Sequence, residues 1–542
     1  MRLSEYASTQ RTYGSRKVPR SVQQSIPIDR IYEDGTWRCG NVYSQMWSMP
    51  DINFTMSDED NKAKILNLLG KVYMGVPSDC WLKICVVSQR MDEKSFRENV
   101  LLHRNLDGFD KWRIERNRRI RQCVKEAGNV VQHKYLILST NKQNVTDARS
   151  RLRQVQGNLL AELSNLGCTI KPMTNNERLE VLHNFFRRGE EGRFQFSFDD
   201  YGKLGNDFRN TIAPDAMRFT TQHAEIDDGF AKAMTIAQYP QQLSDNFVAT
   251  LLQQVPYIVL SIDITPVKTE DAMREIEASQ MKIDSEKYRA NRRNVENLDF
   301  MATISPRNQQ QEKYTAEIRN AICEGDQQVF MVLLSVAFFA DTPDELRQET
   351  DALQSAAANF NCRFTEMRFQ QENCFNTAMP YGLRRVESSH MMLTRSVTAL
   401  VPFVAQEIQD PYGIFYGKNA ITGNLIVGDR RKRVNGNAMV IATSGSGKSM
   451  NVKMEIIMEF LRWPNARFIL VDPENEYAPL VKALGGEVIK LSVDSKTHFN
   501  PLDFQYDEQE AVPPDVAKVD FILTLLDKII GENGHLQPEI EV

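Results

Sequence analysis

Apolar positions recur along this chain in two stretches that share one order of periods. In the first, residues 45–49 and 52–54 predict strand pieces around Pro50. Residues 58–73 place Ala63, Ile65, Leu66, Leu68 and Leu69 at helical spacing. A strand at 81–87, a long charged helical region at 93–127 and a strand at 135–138 follow. A helix at 145–166 then closes on Gly167, and 168–172 adds a short strand. In the second stretch, 233–237 leads into Pro240 as 45–49 leads into Pro50. A helix at 243–254, a strand at 257–264, a charged helical region at 270–323 and a strand at 329–339 come next. A helix at 343–360, with Pro343 suited to its first position, precedes a strand at 362–369. Residues 40–175 and 230–370 therefore predict two pseudo-repeated halves, each of strand, helical hairpin, strand, helix and strand.

The remaining segments carry weaker patterns. Residues 1–25, rich in Ser, Thr, Gln and Arg, predict a flexible basic tail. Residues 176–230 are polar with scattered aromatics and predict a connector of loop and hairpin. A helix around 391–400 ending at Pro402 marks the approach to a third region. There, 412–417 and 421–427 read as two short strands, and 438–441, 467–471 and 488–491 as further strands. Val516, Val519, Ile522, Leu523, Leu526, Ile529 and Ile530 fall at helical spacing behind Pro513, Pro514 and Asp515. That spacing excludes a strand ending at Asp527. The domains expected are 1–25, 26–175, 176–230, 231–375 and 376–542. The fold class is α/β: an α+β N-terminal region of two halves, then, from Gly445-Ser446-Gly447-Lys448-Ser449 set between an apolar run and a helical stretch, an incomplete RecA-like P-loop NTPase domain.

The strongest chemistry sits between the apolar run 438–441 and the helical stretch 450–463. Ala442-Thr443-Ser444-Gly445-Ser446-Gly447-Lys448-Ser449 follows G-x-x-x-x-G-K-[ST] in all but its first letter, where Ala442 adds one methyl at a turn position. Small residues let backbone N–H groups curl around a phosphate, and the helix N-terminus adds its positive dipole end. Candidate nucleotide-binding residues are Thr443, Ser444, Gly445, Ser446, Gly447, Lys448, Ser449 and Met450. Lys448 would reach the β- and γ-phosphates of ATP, and the Ser449 hydroxyl would hold Mg²⁺. The strand 467–471 ends in Asp472, followed by Glu474 and Glu476. A carboxylate at a strand's C-terminal end lies where open parallel sheets bind ligands, so these three are candidates to orient Mg²⁺ or the attacking water. The alternative is a helix cap, with Asp472 at the cap and acidic residues in the first turn.

Composition narrows the classes. At 42% hydrophobic and 25% charged, the 542 residues suit a core-forming chain of several domains. The net charge of -5 argues against a dedicated nucleic-acid binder. Eight cysteines without a C-x-x-C pair read as scattered reduced thiols of a cytosolic protein. No apolar run approaches the ~20 residues that cross a bilayer, so any work at a membrane is by docking. Basic clusters at Lys111, Arg113, Arg116, Arg118, Arg119, Arg121 and Lys125, and at Arg289, Arg292 and Arg293, read as solvated helix faces. The sharper alternative is contact with a phospholipid surface or protein partner.

Three motifs together resemble a known family. Ser444-Gly445-Ser446-Gly447-Lys448-Ser449, Val471-Asp472-Pro473-Glu474-Asn475-Glu476-Tyr477 and Phe499-Asn500-Pro501-Leu502-Asp503 look like those of the conjugative-transfer ATPases of type IV secretion systems. The resemblance covers about 375–542; the preceding region resembles that family only in length and position. It implies an ATPase using ATP and Mg²⁺, hexameric when full length, at the cytoplasmic face of the cell membrane. It would be peripherally bound to inner-membrane components of a secretion channel, energising assembly or substrate transfer. The Walker B strand and arginine finger of such an enzyme are expected beyond residue 542. Two rivals remain open: a DNA-translocating motor of conjugation, and a nucleotide-sensing scaffold without turnover.

Overall fold

Long β-branched and aromatic runs in the first region form one twisted antiparallel sheet, and the charged stretches between them form helices. The computed structural model describes residues 21–90, 93–127, 130–199, 201, 206–240, 242–296, 316, 319–321, 327–405, 408–420, 424–492, 500–503 and 514–530. The expected basic tail lies almost wholly outside them, as do much of the region expected helical at 270–323 and Phe499. Two compact units divide the chain. One holds the described residues up to Ala438 together with Met458–Trp463; the other holds Met439–Ile457 and the described residues from Pro464 onward.

The first unit begins its central pattern with β1 (Val42–Met49), α1 (Glu59–Met74) and β2 (Cys80–Arg90). Next come α2 (Glu93–Asn99), α3 (Asp110–Ala127), β3 (Val130–Asn141), α4 (Val145–Asn165) and α5 (Asn175–Phe186). The pattern recurs as β4 (Gly229–Gln238), α6 (Phe247–Leu252), β5 (Ile258–Pro266), α7 (Thr269–Glu296), β6 (Val329–Ala340) and α8 (Pro343–Asn359). Helix α9 (Gln371–Ala378) follows.

The sheet order across the centre is β1-β3-β2-β5-β6-β4. Each half contributes its strands in mirrored order, and β2 and β5 meet antiparallel in the middle. The short strands Lys171–Pro172 and Arg363–Glu366 pair β1 and β4 in corresponding places. The two pseudo-repeated halves are thus a property of the sheet, related by a pseudo-twofold between β2 and β5. One sheet face packs Leu82, Ile84, Leu136, Leu260 and Leu334 against α1, α4, α6 and α8. The other packs Trp81, Cys85, Val259 and Ala337 against α5 and α9. Strands covered on both faces read as continuous apolar runs, which is why 329–339 was legible.

Polar groups cross the second core at the pseudo-axis. Lys83 and Asp263 are register partners in β2 and β5, both with 0% side-chain exposure and 2.8 Å apart. Lys83 Nζ also donates to the Thr377 carbonyl of α9, and Ser261 Oγ donates to the Ala378 carbonyl at 2.6 Å. Burial pushes the Asp263 carboxyl above the usual carboxylate range, and the Lys83 ammonium works against that push.

Three expectations are corrected. Residues 176–230 are not only loop and hairpin: α5 occupies their start, capped by Thr174 and Glu177 and burying Leu179, Leu182, Phe185 and Phe186. Asn175, Arg178 and His183 are polar yet buried on its packed face, which masked the periodicity. A hairpin does follow, pairing Met217–Phe219 with Ala224–Ile226. The helical hairpin expected at 93–127 is present as α2 and α3, parted where Leu106 and Gly108 adopt left-handed backbone (φ 58° and 86°). The stretch 391–400 divides into a strand, His390–Leu393, paired with β6, and a short helix, Thr394–Thr398. The runs 438–441, 467–471 and 488–491 form no strand, with Ile469 and Val471 92% and 93% exposed. A strand exists through its ladder, and among the described residues no segment supplies one. Strands β7 (Ile414–Lys418) and β8 (Leu425–Gly428) do pair, antiparallel, within the first unit.

Candidate functional site

The second unit is organised around the turn that opens α10 (Lys448–Arg462). The turn closes on itself: the Ser446 N–H donates to the Thr443 carbonyl at 3.2 Å, and Ser446 Oγ donates to the same oxygen at 2.7 Å. Gly445 and Gly447 take φ of 77° and 92°, conformations that L side chains rarely adopt. Among the described residues, no atom beyond each glycine's own chain neighbours lies within 4 Å of where its Cβ would sit. The cradle is therefore set by backbone shape and is open above both glycines. The Asn451 N–H donates to the Gly447 carbonyl at 3.0 Å, so the helical ladder starts at the loop. The N–H groups of its first turn have no intrahelical acceptor and carry the positive end of the helix dipole, the polarity that favours an anion. Lys448 and Met450 are exposed and Ser449 is half-buried at that terminus. The residues expected at a phosphate site, Thr443 to Met450, thus share one turn and one helix start.

The acidic candidates occupy a second turn. Asp472 Oδ2 accepts the Tyr477 N–H at 2.8 Å, and its carbonyl accepts the Asn475 N–H at 3.4 Å. Asn475 has φ 56°, and the turn leads into α11 (Ala478–Ala483). Asp472 therefore pins the turn before a helix, as in the capping alternative, with Tyr477 rather than Asp472 at the cap position. Glu474 and Glu476 are exposed on the same turn. The Lys453 ammonium lies 5.2 Å from the centre of the Tyr477 ring, which sets this turn beside α10. Among the described residues, Lys448 forms no ion pair with Asp472, Glu474 or Glu476. In the third motif, Asn500 caps its own turn through Oδ1 and its carbonyl, which accept the Leu502 and Asp503 N–H groups at 3.1 Å each. Helix α12 (Pro514–Ile530) follows the predicted helical spacing.

Sequence reasoning missed how the far end of α10 is held. Its last turn, Met458–Arg462, belongs to the first unit. Arg462 donates to the carbonyls of Leu101 and Val100 at 2.8 Å each, and of Gly413 at 3.1 Å. Burial lowers the Arg462 pKa to about 10. The buried Arg113 donates to the Leu461 carbonyl at 3.0 Å, and Phe109 meets Phe460 edge-on at 5.1 Å. Arg113 belonged to a basic cluster read as solvated; its burial is not visible from charge spacing.

Residues 431–521 match the family model described as the central domain of helicase HerA. This segment is similar to a P-loop ATPase domain of the HerA/FtsK type, a group that includes conjugation ATPases. The match takes in the glycine turn, all of α10, the Asp472 turn and the Asn500 turn. No curated protein matches the chain.

Proposed function

We propose that this chain is an ATPase that energises assembly of, or substrate transfer through, a type IV secretion or conjugation channel. The observation that carries the nucleotide reading is the turn Thr443–Gly447, held open by two left-handed glycines and feeding directly into α10 at Lys448. Beyond the Ser446 N–H, which closes the turn, its N–H groups would meet a triphosphate, and Lys448 follows them without a break. Ser449 supplies the hydroxyl that would hold Mg²⁺. When bound, Mg²⁺ neutralises charge on the phosphates. Lys448 would stabilise charge developing on the transferred γ-phosphoryl group. Asp472, Glu474 and Glu476 would orient the metal or water, with Asp472 anchored by the Tyr477 N–H and so fixed in direction.

The channel role draws on the three motifs and on the HerA-type match, whose group includes conjugation ATPases. In this reading the protein acts as a hexamer, docked peripherally at the inner face of the cell membrane on inner-membrane channel components. Among the described residues, no helix is long and apolar enough to cross a membrane. The test is transfer in cells: Lys448→Ala should abolish conjugation while leaving the protein at normal abundance, and unchanged transfer would reject the role.

A second reading, a DNA-translocating motor, is favoured by the helicase description of the matching model. It predicts ATP turnover stimulated by duplex DNA and suppressed by added salt. Turnover indifferent to DNA would exclude it.

A further inference from the structure

The segment between α2 and α3, together with one stripe of α3, encloses a cleft of about 650 Å³. That volume falls among small-molecule sites, roughly 300–1,000 Å³. Ile114, Arg118 and Arg121 stand at i, i+4 and i+7, so α3 turns all three to one side. Arg104 stands on the facing segment, and Leu101 and Leu102 give the cleft an apolar floor.

The walls are fixed. Asn117 Oδ1 accepts the Leu102 N–H at 2.9 Å, and its Nδ2 donates to the Leu102 carbonyl at 2.8 Å. Arg113, also at the cleft, is committed to Asp107, Asp110 and the Leu461 carbonyl. The other arginines differ. No carboxylate is among the lining residues. Among the described residues, Arg104 and Arg121 have no acidic partner. Arg118 reaches Glu115 at 3.9 Å with both side chains largely exposed, a contact of little strength. A chain of net charge -5 thus gathers three available guanidiniums around an apolar floor.

A carboxylate satisfies one guanidinium fork; a phosphate carries enough acceptor oxygens for several. We propose that this cleft binds a phosphate ester, with the phosphate on Arg104, Arg118 and Arg121 and the organic part on Leu101, Leu102 and Ile114. That chemistry is shared by soluble organic phosphates and phospholipid headgroups. The cleft lies in the first unit, and none of its lining residues belongs to the glycine turn.

The test uses the full chain carrying Lys448→Ala, so that the glycine turn contributes little. Calorimetry with glycerol 3-phosphate probes the soluble source. Flotation with phosphatidylcholine vesicles, with and without phosphatidylglycerol, probes the lipid source. The proposal expects binding in at least one arm. It expects Arg104→Ala/Arg121→Ala to weaken that binding roughly tenfold or more, and the double lysine variant to restore part of it. An unchanged circular dichroism spectrum shows that the variants fold; if the alanine pair unfolds, the lysine pair alone is read for weakened binding. Absence of binding in both arms, or binding indifferent to the Arg104 and Arg121 substitutions, overturns the proposal.

Discussion

Lys83 and Asp263 face one another in register where the two halves of the sheet meet, 2.8 Å apart and wholly buried. The halves share topology but not this pair: one supplies the cation, the other the anion. Removing one partner leaves a buried charge unpaired, which costs about 3–5 kcal/mol. Lys83→Met and Asp263→Leu should each lower the denaturation midpoint strongly, and the double variant should recover most of the loss. Equal destabilisation by single and double variants would deny the pair its role.

Glu349 on α8 is 9% exposed, and its Oε2 has no hydrogen-bond partner among the described residues. Burial pushes its carboxyl up to about 8, with Glu345 and Asp341 adding to the push and Arg188 opposing it. The folded state therefore keeps a proton that the unfolded chain, with an ordinary value of 4.5, releases. This stability is full below the unfolded value and is lost as pH rises through the folded one. Melting temperature should fall between about pH 5 and about pH 8, and Glu349→Gln should flatten that fall. Identical pH profiles for the two proteins would contradict this account.

The pseudo-repeat could be read from the sequence because strands buried on both faces keep long apolar runs, as at 329–339, and because Pro343 marks a helix start. Helix α5 could not, since the buried polar residues Asn175, Arg178 and His183 stand among Leu179, Leu182 and Phe186 on its packed face. The glycine turn was readable letter by letter, because its backbone angles permit few residues. The runs 467–471 and 488–491 were misleading: apolar composition suits a strand, but only a neighbouring strand makes one. The role of Asp472 was half legible, since its turn-pinning bond to Tyr477 depends on a backbone reversal at Asn475.

Arg462 closes α10 by donating to carbonyls of the 99–101 segment and to Gly413. Arg462→Ala removes charged hydrogen bonds each worth about 1.5–3 kcal/mol. Limited proteolysis should then cut faster within 99–109, where the backbone already takes left-handed turns. An unchanged cleavage rate would show that the segment is held by other contacts.

Gly445→Ala and Gly447→Ala meet no steric obstacle but force a side chain into left-handed backbone, at about 1–2 kcal/mol each. Both should weaken nucleotide binding by reshaping the turn while leaving the melting of the first unit unchanged. Wild-type affinity in both variants would mean that the turn does not cradle phosphate.

The most direct test is calorimetric titration with ATP, with and without Mg²⁺, of the wild type, Lys448→Ala and Ser449→Ala. The wild type should show a magnesium-dependent component of binding. Lys448→Ala should weaken it by tenfold or more, roughly the worth of one charged hydrogen bond to phosphate. Ser449→Ala should remove its dependence on magnesium. Magnesium-dependent binding of equal strength in all three proteins, or none in the wild type, would contradict the assignment of Thr443–Ser449 as the nucleotide site.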